Sequence, residues 1–138
     1  MKKKEDWQPL FFAFIEESYN TPFEWGKWDC CKFSDACIKA ITGKALIPKD
    51  LKWKDEETAM AAIKSYGGTL GKAIDKAAKA QKLTMIKPGF LQCGDLVIWK
   101  EESEMCGMYN GIAILCPSED GLAVKESELA LRGWRIDG

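Results

Sequence analysis

The chain has 138 residues, 46% of them hydrophobic and 30% charged, the profile of a folded protein with one buried core and not of a disordered tail. A formal charge of −1 gives no net attraction to nucleic acid or anionic lipid, so neither is an expected partner. Glu5-Asp6 interrupt the basic start and Glu16-Glu17 close a very short apolar run, while no stretch approaches the ~20 apolar residues of a membrane span. The expectation is no signal peptide, no membrane insertion and a reducing compartment.

The first predicted helix carries Trp7, Leu10, Phe11, Phe14 and Ile15 at three- and four-residue spacing, and Asn20-Thr21-Pro22 ends it. Asp29 is the predicted N-cap of a second helix, along which Cys30, Phe33, Ser34, Cys37, Ile38 and Ile41 form one stripe until Gly43 stops it. So continuous a stripe predicts a central helix. Gly43 to Lys54 reads as a connecting loop anchored by Leu46, Ile47, Leu51 and Trp53. Asp55 opens a third helix with Ala59, Met60 and Ile63, closed by Gly67-Gly68. Thr69 caps a fourth with Leu70, Ala73, Ile74 and Ala77 on one face.

Beyond the helices, short apolar runs predict strands at Leu83 to Ile86, Leu96 to Trp99, Gly111 to Leu115, Leu122 to Val124 and Trp134 to Ile136. Helices followed by a β-meander define an α+β domain spanning residues 1–138.

Six cysteines and no histidine constrain the chemistry. Cys30 and Cys37 are two helical turns apart, about 10 Å, too far to bridge without distortion. Cys93, Cys106 and Cys116 fall on predicted strands, and no C-x-x-C pair occurs, so most of the thiols read as small buried hydrophobes and neither metal nor cofactor is expected. Cys30 differs. It starts a helix, where unpaired N–H groups and the macrodipole favour a thiolate, yet the usual proton acceptor for such a thiol, an imidazole, is missing.

Three segments carry a resemblance. Trp25-Gly26-x-x-Asp29-Cys30-x-x-Phe33, Gly94-Asp95-Leu96-Val97-Ile98-Trp99 and Gly107-Met108-Tyr109-Asn110-Gly111 together resemble the NlpC family of papain-like bacterial cell-wall peptidases. A second resemblance covers nearly the whole chain. Pro22 to Cys30, Gly94-Asp95, Gly121-Leu122 and Trp134-Arg135-Ile136 are similar to a phage and prophage family of unknown function related to those peptidases. The resemblance implies a papain-like, NlpC-related fold with N-terminal helices before an antiparallel sheet. It further implies a tail-associated protein of the virion, found in the host cytoplasm during assembly, with other phage tail proteins as partners.

Carried over residue by residue, the resemblance makes Cys30 the candidate nucleophile and puts Met105 where the active peptidases have their histidine. That substitution points to a degenerate site and a structural role. The competing reading is a cysteine hydrolase of peptidoglycan peptides or an amide that takes its base from a partner.

Asp29 reads as a cap or as part of the inherited signature, and Asp95 as a turn-forming carboxylate or a site residue. Trp25 and Trp28 would either wall a cleft or cover the end of the central helix. Tyr109 could bring its hydroxyl near Cys30, but its ordinary pKa of about 10 makes it a poor base. Lys32 lies on another helix face, and the lysines at 2–4, 72, 76, 79 and 82 read as solvated surface.

Overall fold

The computed structural model describes residues 1–137, and in it four helices precede a six-stranded antiparallel sheet, an α+β arrangement. The helices are α1 (Trp7–Ser18), α2 (Cys30–Thr42), α3 (Glu56–Tyr66) and α4 (Leu70–Ala80). The strands are β1 (Thr84–Ile86), β2 (Leu96–Lys100), β3 (Glu104–Tyr109), β4 (Ala113–Ser118), β5 (Gly121–Glu126) and β6 (Arg132–Arg135).

Helix α2 forms where its own residues start and stop it. The Asp29 side chain accepts the Lys32 N–H, and Gly43, at φ 83°, takes the left-handed C-cap and donates to the Lys39 carbonyl. The stripe between them is buried: Phe33, Cys37 and Ile41 are fully enclosed and Ile38 nearly so. At about 1.5–3 kcal/mol per buried large apolar side chain, this face outweighs any intrinsic preference of the helix. It packs between α1 and the β3–β4 part of the sheet.

The sheet departs from the expected meander. Its order is β1-β6-β2-β3-β4-β5, so β2 to β5 run as a meander while β6 returns to lie between β1 and β2. Local pattern cannot foresee that insertion, because the pairings of Leu96 with Trp134 and Val97 with Gly133 join segments far apart in the chain. The last strand ends at Arg135, with Ile136 buried just beyond it. Strand β3, absent from the apolar runs read above, occupies the centre. Cys93 lies in a turn before β2, a correction to its expected place on a strand.

Register decides which residues meet α2. Leu96 pairs with Met108 and Ile98 with Cys106, and these four, with Leu115 and Trp134, join Phe33, Cys37, Ile38 and Ile41 in the main core. Alternation sends Val97, Trp99, Ile114 and Cys116 to the opposite face, where Met105 and Tyr109 pack against them. At Gly107 a Cβ would come within 2.4 Å of the Leu115 carbonyl oxygen, so the absent side chain lets β4 lie against β3 beside Cys106.

Candidate functional site

The site is built at the first turn of α2. Asp29 is buried, and its carboxylate accepts three donors: Gly26 N–H at 3.0 Å, Lys32 N–H at 2.8 Å and the Trp53 indole N–H at 2.7 Å. The first bond folds the Trp25-Gly26 turn onto the helix, the second caps the helix, and the third draws the connecting segment across its end. Gly26 sits at φ 81°, and a Cβ there would meet the Lys54 backbone at 2.7 Å, so the turn needs glycine both for conformation and for space. The Lys32 ammonium lies 4.5 Å from the Trp53 ring centroid and holds the indole from its other side.

Cys30 and Cys31 follow as the first two helical residues, both half-buried, and Cys106 faces them from β3, fully enclosed. The three sulfurs all lie within 4.8 Å of one another. Cys106 Sγ is 3.8 Å from Cys31 Sγ and 3.9 Å from Ser34 Oγ. The thiols are not equivalent. S–H donation, chiefly from Cys106 and then from Cys31, holds the Cys30 thiol well below the ordinary thiol range despite burial. Cys106 is raised by that donation to Cys30 and to Cys31 and by burial. At Cys31 the bond from Cys106 lowers the pKa, but the bond to Cys30, burial and the nearby Cys30 and Asp29 charges leave it raised. The cluster thus sets the Cys30 pKa below those of the two thiols that donate to it.

A cleft lined by Trp25, Asp29, Cys30, Cys31, Trp53 and Met105 opens beside this cluster, so Trp25, Cys30 and Met105 of the expected site do come together. Met105 nevertheless pairs with Trp99 and packs with the far-face cluster, and it is Cys106 that stands opposite the Cys30 thiol. Trp28 is not a cleft wall. It packs in the core between Phe14 and Phe33, at ring-centroid distances of 6.0 and 5.7 Å, and its buried indole N–H has no acceptor. Tyr109, packed on the sheet face away from α2, is corrected out of the site.

Asp95 is structural. Fully buried, it forms an ion pair with Arg135 Nε at 2.7 Å and accepts the Gln92 N–H at 2.8 Å, so it secures the turn before β2 to β6. Three residues of the site were not singled out from the sequence as members of it: Cys31, Cys106 and Trp53. The adjacent Cys30-Cys31 pair at a capped helix start was the available signal for the first.

An α+β protein with three converging thiols at the head of its central helix, and no histidine anywhere in the chain, is the class that this geometry defines. The family model of a domain of unknown function (DUF6950) matches residues 2–136, and the chain belongs to that family. No curated protein matches it. Among the described residues, no helix is long and apolar enough to cross a membrane.

Proposed function

We propose that this chain is a phage tail-associated protein with a degenerate papain-like, NlpC-related fold, acting in tail assembly or structure and not in hydrolysis. The observation that carries the reading is the group facing Cys30. A cysteine nucleophile at a helix start needs a proton acceptor for acyl transfer and a proton donor for the leaving group, together typically worth ~10²–10⁴-fold. Here the neighbours are two thiols, Cys31 and Cys106, each raised above the ordinary range and therefore protonated at neutral pH. Neither can return a proton cycle as an imidazole does, and the sheet face away from α2 takes Met105 and Tyr109. The nucleophile position is kept while the machinery around it is replaced by packing.

The test has two arms. The purified chain, incubated with peptidoglycan fragments, is expected to give no cleavage products. Co-expressed with the genes that flank its own, it is expected to co-purify with a tail component in fixed stoichiometry, and Cys30→Ala should leave that complex intact. Turnover by the wild-type chain alone that vanishes in Cys30→Ala would replace this reading with the hydrolase. Failure to associate with any tail component would remove the tail assignment.

A further inference from the structure

We propose that Cys30, Cys31 and Cys106 form a three-thiolate site for a single thiophilic divalent cation of the zinc type, with its fourth coordination position open to the cleft. Three sulfurs no farther than 4.8 Å from one another all lie within about 2.8 Å of some common point, and a Zn–S bond is about 2.3 Å, so a few tenths of an ångström of closure at each side chain completes the sphere. In a tetrahedral site with that bond length the sulfurs stand about 3.8 Å apart. Cys31 and Cys106 already stand 3.8 Å apart.

The donor set selects the ion. Three thiolates without carboxylate or imidazole suit a soft or borderline cation, and calcium and magnesium are excluded because they take oxygen ligands. Two ligands ride on the rigid first turn of α2 and the third on a central strand, so their spacing is set by the helix-on-sheet packing and not by a loop. The helix N–H groups offset the excess negative charge of three sulfurs around a divalent ion. Ser34, 3.9 Å from Cys106, supports that sulfur from behind. On binding, the thiol protons pass to solvent and each sulfur donates an electron pair to the cation, with no change of oxidation state. Cys30 and Cys31 border the cleft walled by Trp25 and Trp53, which gives the fourth position to water or an incoming ligand.

The experiment titrates the full reduced chain, held under a non-thiol reductant, with Co²⁺ and then Zn²⁺. Expected are thiolate-to-cobalt charge-transfer absorption reaching its end point at one equivalent, and its loss as Zn²⁺ displaces Co²⁺. Cys30→Ser, Cys31→Ser and Cys106→Ser should each weaken binding at least about 100-fold, beyond the ~10–100-fold typical of outer-sphere partners. Cys93→Ser, in the turn before β2, should bind as the wild type does. Because a buried variant can fail to fold, a second measurement uses only the wild type: alkylation mapped by mass spectrometry with and without Zn²⁺ should show protection of Cys30 and Cys31 and no protection of Cys93. No charge-transfer absorption, or equal alkylation of Cys30 and Cys31 with and without Zn²⁺, overturns the site.

Discussion

Trp53 donates its indole N–H to Asp29 across 2.7 Å, so the carboxylate that caps α2 also fixes the segment covering the helix end. Asp29→Ala removes a cap, worth about 0.5–2 kcal/mol, and strands two further donors, so a loss of about 2–4 kcal/mol is expected. Asp29→Asn, which keeps an acceptor oxygen, should cost about half as much. Urea unfolding followed by tryptophan fluorescence measures both. Equal stability of wild type and Asp29→Ala would mean that the three bonds contribute nothing net.

The buried Asp95–Arg135 pair is expected to behave asymmetrically. Arg135→Met leaves a fully enclosed carboxylate without its cation and should cost about 3–5 kcal/mol, whereas adding Asp95→Asn to it should recover part of the loss. A double-mutant cycle in urea reads this directly. Additive losses would show that the two side chains are uncoupled.

Asp35 predicts a pH dependence. Burial raises its pKa, although the carboxylate accepts from Ile47 N–H at 3.1 Å and Leu46 N–H at 2.6 Å. With the folded pKa above the unfolded one, the folded state holds the proton more firmly, so this residue's contribution to stability is present at low pH and is lost as pH rises through the folded pKa. Asp35→Asn keeps an acceptor and removes the charge. Its stability relative to the wild type should therefore rise between pH 4 and pH 7, and a difference that is flat or falls over that range would contradict the assignment.

Thiol reactivity should follow the geometry of the cluster. In the reduced, metal-free chain at pH 7, iodoacetamide is expected to modify Cys30 ahead of Cys116, whose pKa burial pushes up to about 11, and ahead of Cys37, which burial pushes higher still. Cys106→Ala removes the largest influence lowering the Cys30 pKa, so the alkylation profile should move to higher pH. Met105→His should leave it unchanged, because residue 105 alternates onto the face of Trp99. A shift in the histidine variant would show that an imidazole at position 105 reaches the Cys30 thiol through the cleft that both residues line.

All four helices were legible in the sequence because their determinants lie within a few residues of one another. Asp29, Asp55 and Thr69 accept N–H groups three positions on, Gly43 adopts the left-handed cap, and the apolar stripe of α2 repeats with the helical period. The α+β order followed from the change of period after Leu83. Strand β3 showed no apolar run, since Gly107 and Glu104 interrupt it, and only its resemblance to a peptidase strand marked it.

The site itself was half legible. Cys30, Asp29 and Trp25 lie in one local signature, but what faces the thiol depends on strand parity: a shift of one residue exchanges Met105 for Cys106, and only the pairing of β3 with β2 sets it. The insertion of β6, the Asp95–Arg135 pair across 40 positions and the meeting of Cys31 with Cys106 across 75 are likewise tertiary decisions. Short-range hydrogen bonds and periodicity act within a helix or a turn and so are written locally. Contacts between distant segments are chosen by the burial of the whole core, which no single window of the sequence contains.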